Sequence, residues 1–344
     1  MVTDIINTLH IGDARIIIPT LPKKSIQTVI TSPPYFQLRD YGINRQIGQE
    51  ETVEDYIDHL IDIFSKIKCV LKDDGTVWLN IGDSYAGSGK SRNGNGKTGK
   101  LDQNSKDAAY IGRHIGILQK TPLSGCLKPK DLIGIPWRLA LALQQDGWYL
   151  RQDIIWYKPN TMPESVKDRC VKSHEYIFLL SKNKNYYFDY QSIQEDSVLF
   201  ENRLQGIVRN REYNYNSKLN ATHPKYNLKR NDKRDPIKQS YPQKRLNRND
   251  CNYDIRKRNK RDVWMVNTRP YTGAHFAAFP IELIIPCVLA GSKEGDIILD
   301  PFFGSGTTAE AATLLNRNWI GIELNPKYKD LYKERLGLFD YTNK

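Results

Sequence analysis

The 344-residue chain has no apolar run approaching the roughly 20 residues that a membrane span requires. The longest candidates, such as Ile281 to Ala290, are broken by charge or proline, there by Glu282 and Pro286. The N-terminal Met1-Val2-Thr3-Asp4 has neither the basic region nor the apolar stretch of a secretory signal. The five cysteines (Cys69, Cys126, Cys170, Cys251, Cys287) are odd in number and include no Cys-x-x-Cys pair. Scattered thiols of this kind exclude a disulfide framework and a zinc cluster, and fit a reducing cytoplasm. The expectation is therefore a cytoplasmic protein without membrane or metal. What is present is a chain able to build a core, 39% hydrophobic and 26% charged, with a formal net charge of +12. Its length suits one large or two modest domains, and its excess of cations points to a polyanionic partner.

The charge is unevenly spread. Between Glu201 and Arg261 stand 18 Lys+Arg against 6 Asp+Glu, a net +12, leaving 33 of each sign in the rest of the chain. Only 15 of those 61 residues are hydrophobic, and Tyr213, Tyr215, Tyr226, Tyr241 and Tyr253 are interleaved with the cations. Composition alone allows a solvated insertion. It equally suits a nucleic-acid-binding segment, in which cations neutralise phosphates while Asn, Arg and Tyr reach or stack on bases. A second biased stretch, Ala86 to Lys100, resembles a phosphate loop but fails its spacing. Gly96-Lys97-Thr98 needs glycine where Ser91 stands, and Gly89-Lys90-Ser91 needs it at Ser84. Residues 86–128 read instead as a mobile insert beside a strand.

Strand and helix patterns alternate, the signature of an α/β sandwich with a mainly parallel sheet. Ser25 to Ile30 reads as a buried strand. Thr52 caps a helix with apolar positions Val53, Ile57, Leu60, Ile61, Phe64, Ile67 and Leu71, which Asp74-Gly75 ends. Thr76 to Ile81 is the next strand, followed by a helix from about Pro129 to Gln145 and a strand from Trp148 to Tyr157. Tyr176 to Leu180 and Tyr186 to Tyr190 read as a closing hairpin. Beyond the basic window, Pro280 to Leu289 is helical. Strand Asp296–Asp300, a Gly-rich turn, a helix from Thr307 and strand Trp319–Glu323 complete the chain.

In Asp300-Pro301-Phe302-Phe303-Gly304-Ser305-Gly306-Thr307-Thr308 a strand tip turns into a helix, and Gly304 and Gly306 allow close approach of backbone to ligand. Glu323 ends the next strand 19 positions after Gly304, where a carboxylate can take two ribose hydroxyls. A dinucleotide-binding unit is the natural rival. However, Asp300 at the strand tip would repel a pyrophosphate and attract a cation. S-adenosyl-L-methionine (AdoMet), with its ammonium and sulfonium, fits better.

Thr31-Ser32-Pro33-Pro34-Tyr35 follows the first of these strands. Consecutive prolines stiffen the backbone and leave carbonyl acceptors pointing outward. The Ser32 oxygen and the Pro33 carbonyl suit an exocyclic NH2 group, and Tyr35 suits stacking on a flat ring. An aromatic amine is a poor nucleophile because its lone pair is delocalised. Accepting hydrogen bonds from its two N–H groups favours a pyramidal nitrogen and frees that pair.

With these motifs together, the chain resembles the β-class DNA amino-methyltransferases, bacterial and phage enzymes that modify cytosine N4 or adenine N6. Ser32 to Tyr35 matches the family tetrapeptide, Asp300 to Thr308 its AdoMet turn, and the basic window lies between, where the family keeps its target-recognition region. His275-Phe276-Ala277-Ala278-Phe279-Pro280 is similar to the segment preceding that turn. Ile154 to Asn160, Met162 to Ser165 and His174-Glu175 also look family-like.

The resemblance implies an α/β, Rossmann-like AdoMet-dependent fold, circularly ordered, with a mixed, mostly parallel sheet. Its parts would be residues 1–190 (catalytic half), 191–261 (target recognition) and 262–344 (AdoMet half). It implies a site-specific enzyme acting on duplex DNA after base flipping, with Ser32 pointing to the cytosine-N4 branch. Ser32, Pro33, Pro34 and Tyr35 would be catalytic. Asp300, Pro301, Phe302, Gly304, Ser305, Gly306, Thr307, Glu323, Phe279, Pro280 and Asp13 would hold the cofactor. Asp83 would either line the base pocket or cap a helix. The implied counterpart is a cognate restriction endonuclease without a stable complex, the chain itself acting as monomer or homodimer.

Three rivals stand beside this reading. Cytosine-C5 chemistry would use Pro286-Cys287, which sits in an apolar helical run that reads as core. A non-catalytic nucleic-acid-binding protein would have no use for intact motifs. An RNA or protein-glutamine methyltransferase would have less use for the basic window.

Overall fold

The structure, a computed structural model, describes residues 5–38, 43, 45–87, 125–196, 257–269 and 279–337. It divides into two compact units, residues 1–193 with 261–344, and residues 194–260. Of the 86–128 insert, 88–124 lie outside the described residues, as does all of the basic window before Lys257. In the smaller unit, β6 (Glu195–Asp196) pairs antiparallel with β7 (Lys257–Arg258). Opposite charges face across this ladder, Arg258 to Glu195 at 3.0 Å and Lys257 to Asp196 at 2.6 Å.

The larger unit is built on one eight-stranded sheet. Its strands are β1 (Thr8–Ile11), β2 (Ile26–Thr31), β3 (Leu71–Ile81), β4 (Tyr149–Tyr157), β5 (His174–Ser181), β8 (Val263–Met265), β9 (Ile297–Asp300) and β10 (Asn318–Glu323). They lie in the order β1-β10-β9-β2-β3-β5-β4-β8. Every neighbouring pair is parallel except those made by β5, which runs against both β3 and β4. Central β2 is buried along its whole length, as expected where helices cover both faces.

Those helices are α1 (Ala14–Ile17), α2 (Val53–Val70), α3 (Ile135–Gln145), α4 (Ile281–Gly291), α5 (Thr307–Leu314) and α6 (Lys329–Gly337). Alternation along β3 splits the core. Val77 and Leu79 face α2 and α3, while Trp78 faces the α4 and α5 side. Three layers, helix–sheet–helix, result. In α2, Thr52 accepts from the Asp55 amide at 3.0 Å, and the apolar stripe at helical spacing is buried.

Several boundaries differ from the sequence reading. β3 begins at Leu71, directly after α2, so Asp74-Gly75 is an irregularity inside the strand where register shifts between Ile26 and Thr28. α3 begins at Ile135 rather than near Pro129, because residues 130–133 hydrogen-bond with the backbone of Ser84 and Ala86 before Gly134 turns left-handed. The hairpin does not form. β5 is flanked by β3 and β4, whereas residues 186–190 are not a strand. Tyr187 donates to the Asp74 carbonyl and Asp189 to that of Ala290, each at 2.9 Å. The apolar alternation there serves packing, with Phe188 stacked on Trp78 at 6.2 Å.

Candidate active site

A cavity of about 340 Å³ opens at the C-terminal ends of β2, β9 and β10, the edge where open α/β sheets bind ligands. Adjacent strands bring the two sequence motifs together although some 270 positions separate them. Thr31, the last residue of β2, donates to Asp300 Oδ1 at 2.7 Å. Ser32, Pro33, Pro34 and Tyr35 line one end of the cavity. Asp13, Phe279, Asp300, Pro301, Phe302, Gly304, Ser305, Thr307 and Glu323 line the rest. Pro280 and Gly306 do not line it: they cap α4 and α5, and Gly306 has φ +83.

The Gly-rich turn is tied by its own carboxylates. Asp300, only 2% exposed, accepts from Thr31, from Thr308 Oγ1 at 2.6 Å and from the Phe302 amide at 3.1 Å. Burial nonetheless pushes its pKa up to about 6. Glu323 accepts from the Gly304 and Asn325 amides, each at 2.8 Å, and burial raises it too. Among the described residues neither carboxylate has a cationic partner. Behind the turn, Gly321 admits the Phe303 ring, since a Cβ there would lie 2.3 Å from it. Asp13 caps α1 and forks onto Arg15, with Nε to Oδ1 at 3.0 Å and Nη2 to Oδ2 at 2.6 Å. Burial opposes its ionisation, but the Arg15 hydrogen bonds and charge prevail and hold it below the usual carboxylate range.

At the other end the tetrapeptide is fastened from outside. The Pro34 carbonyl accepts from Tyr56 Oη at 2.8 Å, while no described residue donates to the Pro33 carbonyl. Tyr35 Oη donates to Glu175 Oε2 at 2.8 Å and approaches Asn80 Oδ1 at 3.3 Å. Burial, then the Glu175 charge, raises this phenol well above its ordinary range. Its ring lies so close to Gly82 that a Cβ there would stand 2.6 Å from Cε2. Glu175 also pairs with Lys158, whose ammonium lies 4.0 Å from the centre of the Trp156 ring.

Glu175, Lys158, Asn80 and Trp156 all line the cavity, and the sequence reading gave none of them a role. The available signal for Trp156, Lys158 and Glu175 was their presence in the family-like segments 154–160 and 174–175, whereas Asn80 carried none; register brings the four together by pairing Trp156 with Glu175 and Asn80 with Ile177. Asp83 adopts the capping alternative. It accepts from the amides of Gly134 at 3.0 Å and Ile135 at 3.1 Å and does not line the cavity. Cys287 is buried in α4 with its thiol directed at the Leu283 carbonyl, away from the cavity lining. Among the described residues no cluster of His, Cys, Asp or Glu is arranged to hold a metal, and no helix is long and apolar enough to cross a membrane.

A parallel sheet with one reversed strand, carrying a Gly-rich turn and a Ser-Pro-Pro-Tyr tip in one cavity, is a Rossmann-like methyltransferase architecture. The chain belongs to the N6/N4 DNA methylase family, whose model, described as DNA methylase, matches residues 26–334. It is 43% identical over 329 residues to the type II methyltransferase M.Cfr9I of Citrobacter freundii, covering 96% of this chain and 87% of that one. It is 45% identical over 326 residues to M.SmaI of Serratia marcescens, covering 95% and 89%. In fold it is similar to the PvuII DNA methyltransferase (cytosine-N4-specific), with a TM-score of 0.58 at 17% identity over 98% of this chain and 87% of that one. A second similar structure is TTHA0409 of Thermus thermophilus complexed with S-adenosyl-L-methionine, with a TM-score of 0.52 at 23% identity over 96% and 94%. The protein is thus a DNA methyltransferase of an AdoMet-dependent family.

Proposed function

We propose that the chain methylates the exocyclic N4 amine of a cytosine within a specific duplex DNA sequence, with AdoMet bound along the β9–α5 turn and no metal. The observation that carries this reading is the meeting of Ser32-Pro33-Pro34-Tyr35 and the acidic turn in one cavity. The cofactor fits the residues present. Asp300 and Glu323 are buried carboxylates lacking a counter-cation among the described residues, and each Glu323 oxygen keeps a lone pair for a ribose hydroxyl. When bound, AdoMet supplies an electrophilic methyl group.

The remaining work falls to this chain's own groups. The Ser32 hydroxyl and the Pro33 carbonyl accept the two N–H bonds of the flipped base. Tyr35, held at its hydroxyl by Glu175, offers a fixed ring for stacking. The amine loses its proton only after it has attacked, so a strong general base is unnecessary. The serine at position 32, as in the cytosine-N4 branch, supports N4 over adenine N6. The basic window, most of it outside the described residues, supplies the charge for DNA, and a cognate endonuclease is the expected counterpart.

Expression in a methylation-free host followed by base-resolved mapping tests the proposal. N4-methylcytosine at one recurring sequence is expected. N6-methyladenine would overturn the base assignment, and an absence of any mark would overturn the activity.

A further inference from the structure

The hydroxyls of the cofactor turn are not free to choose their partners. Arg335, on α6, directs Nη1 to Ser305 Oγ at 2.7 Å and to Thr307 Oγ1 at 2.6 Å, while its Nε pairs with Glu310 at 2.7 Å. Arg335 and Glu310 are each about 16% exposed at the side chain, and Ser305 and Thr307 are buried. Arg335 does not line the cavity, whereas both hydroxyl residues do.

An arginine only donates, so each hydroxyl must accept from it and keeps its own proton to give elsewhere. Donation from a guanidinium also polarises the O–H bond and strengthens that second hydrogen bond. Glu310 balances the cation, so what reaches the cavity is direction rather than net charge. Both hydroxyls stand at the start of α5, where the backbone dipole already favours an anion.

We propose that Arg335 is a positioning residue for the carboxylate end of the cofactor, acting through Ser305 and Thr307 by turning both hydroxyl protons into the cavity. The inference rests on the AdoMet reading above. It assigns the C-terminal helix a part in ligand binding without any ligand contact.

Calorimetry on the full chain with two probes tests it. S-adenosyl-L-homocysteine carries the carboxylate; 5′-methylthioadenosine has the same nucleoside and sulfur without it. Arg335→Met is expected to weaken the first on the order of tenfold and leave the second within about twofold. Arg335→Lys should recover part of the loss. The double variant Ser305→Ala/Thr307→Val should reproduce the selective loss, and adding Arg335→Met to it should cost nothing further. If Arg335→Met fails to fold, Arg335→Lys decides the matter with the same two probes: a selective loss on S-adenosyl-L-homocysteine supports the inference and its absence overturns it. Equal weakening of both probes, or of neither, overturns the inference. A native chain that binds neither probe would instead overturn the cofactor reading, and this inference with it.

Discussion

The two ends of the cavity are built on opposite electrostatic plans. Around the β9–α5 turn, Asp300 and Glu323 are buried among neutral donors, and burial raises both pKa values. Around the tetrapeptide, Glu175 is matched by Lys158 and tied to Tyr35 and Asn80. One end holds negative charge that lacks a cationic partner among the described residues, and the other is locally balanced. An unbalanced carboxylate in low dielectric is a cost the fold bears, and a cationic ligand relieves it. A balanced, hydrogen-bonded floor suits an uncharged aromatic ring. The difference supports the proposed placement of cofactor and base at their ends on grounds independent of the sequence motifs.

Asp300→Asn should break this contrast most strongly. A unit-charge pair a few ångströms apart in protein surroundings is worth about 3–4 kcal/mol, so AdoMet affinity should fall on the order of a hundredfold or more. The unliganded fold should not suffer equally. With a pKa of about 6 against an ordinary value of 3.8, ionised Asp300 costs the fold about 3 kcal/mol at neutral pH. Calorimetry should record the loss of binding while thermal melting of the free protein holds or rises. A large fall in melting temperature with affinity retained would make Asp300 merely structural.

Ser32→Ala probes the other end. Removing one preorganised acceptor should lower kcat on the order of a hundredfold while AdoMet binding stays within about twofold. Collapse of cofactor affinity in this variant would show that the two ends are not separable.

Protonation offers a finer cut between them. Because Asp300 is raised in the folded state, it binds its proton more readily folded than unfolded. Its contribution therefore favours the fold increasingly as pH falls from about 6 toward 3.8, and penalises it above. Ligand binding has the opposite slope, since the cation needs the carboxylate ionised. AdoMet affinity should be flat above about pH 7 and fall about tenfold by pH 5. In Asp300→Asn that limb should flatten, leaving what Glu323 contributes. Titrations at several pH values on both proteins check the difference; parallel curves would remove Asp300 from the cationic site.

The Gly-rich turn was legible in sequence because it is local. Strand, turn, helix and next strand follow in order, and Asp300, Gly304 and Glu323 keep their spacing whatever the rest of the chain does. The tetrapeptide was legible because its prolines restrict the backbone on their own. Glu175 and Lys158 were not, since only antiparallel register between β4 and β5 sets them side by side. Gly82 became meaningful only once the Tyr35 ring lay on it. Residues 186–190 misled because alternation records which side chains are buried, not which backbone groups pair. Asp83 shows the same limit: its short carboxylate found two helix-start amides from a segment about fifty residues away.

The mildest perturbation is Glu175→Gln, and it sharpens the contrast most. The amide oxygen can still accept from Tyr35, so the floor keeps its shape while Lys158 loses its counter-charge. That leaves the end proposed for an uncharged ring carrying a cation, which would oppose the positive charge developing on the attacking amine. A loss of about tenfold in kcat is expected, with AdoMet affinity unchanged and the drop relieved in Glu175→Gln/Lys158→Met, where both charges are gone. If the double variant is no better than the single, Lys158 has a role beyond balancing Glu175, and local neutrality is not what this end requires.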